Sequence, residues 1–200
     1  MTPIFKWLLA IFFLTVSAAQ AQSEMPRVQM ETTKGNIVIE LNAFAAPKTT
    51  ANFLAYVKNG FYNNTIFHRV IKGFMIQGGG LGADMRKKET LTPISNEADN
   101  GLKNLKGTIA MARTRAPHSA TAQFFINAKD NPFLDYKRKS TSGWGYCVFG
   151  RVIQGIEVVN AIENAPTTKR SGYKDVPVDP IIITKATVVE QTSPVKETSE

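Results

Sequence analysis

An arginine, a methionine and a glutamine interrupt one apolar stretch, FHRVIKGFMIQGGG, as Arg69, Met75 and Gln77. Counted with the period of a strand, Phe67, Arg69, Ile71, Met75 and Gln77 share a parity, and Gly73 marks a break between two strands. A guanidinium taken out of water must be hydrogen-bonded or paired, or its burial is costly. The bland alternative is an edge strand whose arginine reaches back to solvent. A later segment, MARTRAPHSATAQFFINA, favours the functional reading. It sets Gln123 and Phe125 at alternate positions, with Ala112 and Arg113 upstream, and NPFLD adds Phe133 and Leu134. The sum is an apolar pocket edged by one guanidinium and two amides.

Other chemistries find less support. His68 and His118 lie far apart, with Cys147 the single cysteine, and no spacing matches a zinc site. His68 reads as a hydrogen-bonded strand residue and Cys147 as a small buried hydrophobe. Ser119 follows His118, but sequence neighbours rarely face one another, and no G-x-S-x-G is present. Gly78, Gly79, Gly80 and Gly82 lack a following Gly-Lys-Ser/Thr, so they read as a tight loop beside a strand end rather than a phosphate cradle. No clear carboxylate pair is present. No cofactor and no metal are called for.

Positioning these residues falls to short strands and two helices. RVQMETTKGNIVIELN reads as a hairpin around Lys34-Gly35-Asn36. APKTTANFLAYVKNGFY reads as a helix, with Pro47 in its first turn, Phe53, Tyr56 and Val57 on one face, and Gly60 as its stop. GTIAMAR, AQFFINA, YCVFGRVIQG and VDPIIITKATVVE read as further strands, and GIEVVNAIENAP as a second helix ended by Pro166. The helices do not alternate with the strands, which excludes a doubly wound sheet. An antiparallel barrel or sandwich with two covering helices fits.

The ends carry a different message. Residues 1–21, MTPIFKWLLAIFFLTVSAAQA, combine Lys6, an apolar run from Trp7 to Val16, and the cleavage signal Ala19-Gln20-Ala21. That pattern predicts a secretory signal peptide, with a mature chain starting at Gln22. The run is short for a membrane anchor. Residues 22–190 form the expected domain, and the polar tail 191–200 is expected to be disordered. The formal net charge is +8, but the basic residues are scattered, and a solvated basic surface is the better reading than nucleic-acid binding.

Taken together, FHRVIKGFMIQGG, GTIAMA, AQFFINA, FLD and VFGRV follow the order and spacing of a cyclophilin, a peptidyl-prolyl cis-trans isomerase. The resemblance covers Val28 to Val189, and with the signal peptide the chain resembles a bacterial periplasmic cyclophilin. The resemblance implies a mainly β fold, a closed eight-stranded antiparallel barrel capped by two helices, with the site on its outer face. It implies Arg69 and Gln77 as catalytic residues. It implies Phe74, Met75, Ala112, Arg113, Gln123, Phe125, Phe133, Leu134 and Tyr146 as substrate-binding residues. The pattern common in eukaryotes has Asn, Trp and His where this chain has Arg113, Phe133 and Tyr146, and bacterial members resemble this chain more closely there. Phe133 in place of Trp weakens the expectation of tight cyclosporin binding. The implied partners are proline-containing polypeptides, unfolded or folding after export, with no nucleic acid, no membrane after signal cleavage, and a monomeric enzyme in the periplasm.

The chemistry suits these residues. A prolyl nitrogen loses conjugation when its peptide bond twists and becomes a hydrogen-bond acceptor, so a fixed cation can favour the twisted state alone. Arginine presents a rigid fork of donors and stays charged. A proline-binding chaperone or adaptor with little turnover is the main alternative, and the pairing of Arg69 with Gln77 speaks against it. A lumenal apolar ligand is a second, opposed by large residues on both strand faces.

Overall fold

A computed structural model describes residues 25–189. The predicted signal peptide and polar tail lie outside the described residues. Elements run β1 (Arg27–Thr32), β2 (Gly35–Leu41), α1 (Pro47–Lys58), β3 (Thr65–Ile71), β4 (Met75–Gly82), β5 (Thr108–Met111) and β6 (Phe124–Asn127). A single 3-10 turn, Pro132–Leu134, precedes β7 (Val148–Gln154), α2 (Ile156–Glu163), β8 (Thr167–Arg170), β9 (Tyr173–Pro177) and β10 (Ile182–Val189). Eight strands close a barrel in the order β1-β10-β3-β4-β6-β5-β7-β2, with every pair antiparallel. Closure leaves no exposed sheet edge. β8 and β9 form a separate hairpin.

The barrel closes around aromatic rings. Phe53 from α1 sits among Tyr62, Phe124 and Phe149, with centroids at 5.1, 5.8 and 5.1 Å. Phe67 meets Phe124 edge-on, and all five rings are buried. These side chains pack into one interior cluster with Ile37, Ile39, Ile109 and Ile126. A lumen filled this way offers no room for a lumenal ligand.

α1 begins as the sequence predicts, with Pro47 in the first turn and Phe53, Tyr56 and Val57 buried. Its first N–H groups lack intrahelical partners. Glu97, from a loop far along the chain, accepts from the N–H groups of Lys48 and Thr49 at 3.1 and 2.8 Å and from the Thr49 hydroxyl at 2.8 Å. The carboxylate also meets the positive end of the helix dipole.

Several expectations need correction. The first hairpin turns at Thr33–Lys34, one residue earlier than the Lys34-Gly35-Asn36 reading, because Gly35 already pairs with Thr32. Tyr146 lies before β7, which starts at Val148. The glycines 78–80 and 82 are part of β4, not a loop after it. The β8–β9 hairpin was not anticipated. Its first strand is wholly exposed and polar, so no apolar alternation marks it.

Candidate active site

The shared parity of Phe67 and Arg69 is also wrong, and the reason is a β-bulge. Phe67 pairs with Gly78 and Arg69 with Gln77, so His68 is an extra residue in β3. The bulge lets Phe67 point into the interior while Arg69 lies on the outer face. Over Met75–Gln77, β4 needs no such correction. Ile76 faces inward, and Met75 joins an outer cluster with Ala110, Phe125 and Val148. Gly73, at φ +65°, makes the turn between β3 and β4. A left-handed conformation there favours glycine.

The outer cluster is the floor of the site. Phe74, Ala112, Leu134 and Tyr146 pack around it, half-buried. Over it lies a pocket of about 120 Å³ lined by nine of the eleven predicted residues: Arg69, Phe74, Met75, Gln77, Ala112, Arg113, Phe125, Leu134 and Tyr146. The two others stand at its borders. Phe133 is largely exposed and stacks on Phe74 with centroids 5.6 Å apart. Gln123 stands behind Gln77, whose Nε2 donates to Gln123 Oε1 at 3.0 Å. Gly80 makes room for this amide, since a Cβ there would run into the Gln123 side chain.

Arg69 is held lightly. Its Nη1 donates to Gln77 Oε1 at a long 3.5 Å, and its Nε lies 3.9 Å from Asp175 Oδ2 on β9. Both charged side chains are about two-fifths exposed, which leaves a weak ion pair. The guanidinium therefore keeps donors to spare at the pocket's edge. Beside it, His68 is buried against Tyr173 with its Nδ1 unpartnered among the described residues. Burial lowers its pKa to about 4; the Ile66 backbone opposes this, the Arg69 charge pushes the same way as burial, and Gln123 opposes least. His68 is thus a neutral buried residue, close to the sequence expectation but short of one hydrogen-bond partner.

Arg113 is held firmly. Its Nε donates to Gly145 O at 2.8 Å, its Nη1 to Thr114 O and Arg115 O at 2.9 and 3.3 Å, and its Cζ lies 4.6 Å from the Tyr146 ring centre. Tyr146 in turn meets Phe125 edge-on at 5.6 Å. A buried asparagine network supports the opposite wall. Asn131 Nδ2 donates to Phe74 O at 3.0 Å and to Asn127 Oδ1 at 2.8 Å, and Asn127 Nδ2 reaches Asn104 Oδ1 at 3.3 Å and Thr108 Oγ1 at 2.9 Å. This network ties the turn carrying Phe133 and Leu134 to β4. Sequence reasoning missed it, although Asn127 inside an apolar strand was a visible signal. Asp175 gave none.

The rejected chemistries stay separate. Ser119 Oγ pairs with Thr114 and Ala116, while His118 Nδ1 accepts from Asn96 N, so no Ser-His dyad forms. The Cys147 thiol is buried, and burial pushes its pKa up to about 11. No cluster of three His, Cys, Asp or Glu suited to a metal occurs among the described residues.

A closed eight-stranded barrel with an arginine-edged apolar pocket on its outer face defines a class in which proline-directed isomerases are found. The family model described as cyclophilin type peptidyl-prolyl cis-trans isomerase/CLD matches residues 27–188, and the chain belongs to that family. It is 58% identical over 165 residues to peptidyl-prolyl cis-trans isomerase cyp18 of Streptomyces antibioticus, covering 82% of this chain and 99% of that protein. Identity is 56% over 163 residues to peptidyl-prolyl cis-trans isomerase B of Escherichia coli K12, with the same coverage of 82% and 99%. A crystal structure of a Cryptosporidium parvum cyclophilin-type isomerase, obtained with the dipeptide Ala-Pro, superposes with a TM-score of 0.67 at 33% identity, covering 82% of this chain and 99% of that one. The chain is a peptidyl-prolyl cis-trans isomerase by family.

Proposed function

We propose that this enzyme turns X-Pro bonds in exported polypeptides and thereby assists their folding, with Arg69 as the catalytic cation. The observation that carries the reading is the loose tether of Arg69, a cation with unspent donors beside an apolar floor. The barrier to be lowered is about 18–20 kcal/mol and comes from amide resonance. In the twisted state the prolyl nitrogen regains its lone pair, and an Arg69 N–H donates to it. The planar isomers offer no such acceptor, so the bond favours the transition state alone. A hundredfold acceleration needs about 2.7 kcal/mol, and one charge-assisted hydrogen bond contributes about 1.5–3 kcal/mol.

The remaining residues hold one side of the bond while the other turns. Met75 and Phe125 receive the proline ring from below, with Phe74 and Leu134 at its sides. Gln77, fixed by Gln123, holds substrate backbone and keeps Arg69 over the pocket. Ala112, Arg113, Phe133 and Tyr146 form the rim along which the peptide lies. The clients are proline-containing polypeptides, and the enzyme works as a monomer in the periplasm after cleavage behind Ala21. The sequence of residues 1–21 supports export, and no helix among the described residues is long and apolar enough to cross a membrane.

NMR exchange on a short Ala-Pro peptide tests the activity. Accelerated exchange is expected; binding with an unchanged exchange rate would replace the isomerase with a chaperone. N-terminal sequencing of the protein recovered from its own cells tests export, with Gln22 expected first and an intact Met1 contradicting it.

A further inference from the structure

The stack of Arg113 on Tyr146 is a ridge with space on both sides. On one side lies the proline pocket. On the other a groove of about 730 Å³ is lined by the same two residues together with Arg115, Phe133, Asp135 and Lys137. The groove adjoins the pocket across this ridge. The groove is preformed: Lys137 N donates to Gly143 O at 2.8 Å, and Trp144 packs on Tyr136 and His118 with centroids at 5.6 and 4.7 Å.

Its charge is one-sided. Arg113, Arg115 and Lys137 have no ion-pair partner among the described residues. Arg113 spends its donors on backbone carbonyls, which leaves its charge unneutralised. The one carboxylate in the wall is already engaged. Asp135 Oδ1 accepts from Asn104 N and Nδ2 at 2.8 and 3.1 Å, its Oδ2 lies 3.8 Å from Lys103, and its side chain is only 13% exposed. The hydroxyls of Ser140, Thr141 and Ser142 add neutral donors.

We propose that this groove is a binding subsite for aspartate and glutamate side chains of client chains, close in sequence to the proline being turned. The inference rests on the isomerase reading and adds a client chemistry to it. Extended peptide advances about 3.3 Å per residue, so a carboxylate within a few residues of the proline spans the ridge. Exposed cations of this kind raise encounter rates and select partners of opposite charge.

The test compares Ala-Pro peptides carrying Glu, Gln or Lys two and three residues to either side of the proline. Exchange catalysed by the purified protein is measured at low and at physiological salt. A Glu-over-Gln advantage in kcat/KM of about fivefold on one side of the proline is expected at low salt, the scale of one or two exposed ion pairs. It should shrink once the Debye length falls to about 8 Å at physiological ionic strength. In the double variant Arg115→Gln, Lys137→Gln, the Glu-to-Gln ratio should fall toward one while the Gln peptide reports that the protein is folded and active. Equal rates for Glu and Gln peptides, or a Glu advantage that survives in the double variant, overturn the subsite while leaving the isomerase standing. No acceleration of any peptide overturns the isomerase reading and the subsite with it.

Discussion

Two outer faces of the same barrel carry arginines, and they are treated oppositely. On the β2–β7 side, Glu40 takes Arg27 at 3.1 Å and Arg151 at 3.0 Å, one guanidinium on each carboxylate oxygen. Those bonds hold the Glu40 carboxyl below the usual carboxylate range, with the Arg151 hydrogen bond the largest cause. A 320 Å³ depression beside this group also has apolar walls, including Leu102, Leu105 and Val148. On the β3–β4 side, among the described residues, Arg69 has only an amide at 3.5 Å and a carboxylate at 3.9 Å. The difference bears on the role proposed for Arg69. Arginines answered by a close carboxylate stabilise the fold, whereas one left with weak partners can respond to an acceptor that exists only at the transition state.

The contrast can be broken first with acid. His68 stays neutral beside Arg69, and its folded pKa of about 4 lies below its unfolded value near 6.5. Between those values the unfolded chain binds the proton that the native chain refuses. Stability is therefore full above pH 6.5 and is lost as pH falls toward 4, by about 3 kcal/mol over the window. Denaturant titrations across that range should show it, and His68→Gln should flatten the profile. The second break makes Arg69 resemble Arg151. Gln77→Glu would set a carboxylate against it, and kcat/KM should fall about thirtyfold, equivalent to ~2 kcal/mol, with the protein still folded.

Smaller changes sharpen the comparison. Glu40→Gln should cost about 1 kcal/mol of stability in thermal melts, since the arginines it answers are partly exposed, and should leave exchange rates unaltered. Asp175→Asn should lower kcat about threefold with KM unchanged, because Asp175 orients Arg69 without binding substrate. An equal loss of stability and rate in Asp175→Asn would instead mark a purely structural contact.

The contrast also marks where the sequence is legible. Pocket residues were readable because the chain alternates from Met75 to Gln77 in β4 and from Gln123 to Phe125 into β6, so each pair falls on one side. The β3 count failed at His68 because a bulge leaves no mark in composition. Resemblance supplied Phe74 and Tyr146, which period counting alone does not bring into the pocket. The β8–β9 hairpin stayed hidden because most of its residues are polar and exposed, and with it went Asp175. The asparagine network went unread because its members lie in three separate segments that meet only after folding.

The most direct test of the account sets Arg69→Ala beside Arg151→Ala in NMR exchange on one Ala-Pro peptide, with peptide affinity measured for both. The account predicts that Arg69→Ala loses about a hundredfold in catalysed exchange, near 2.7 kcal/mol, while binding changes little, and that Arg151→Ala turns over like the parent protein. If Arg69→Ala keeps its rate, or loses rate only in proportion to lost binding, Arg69 does not act on the twisted bond.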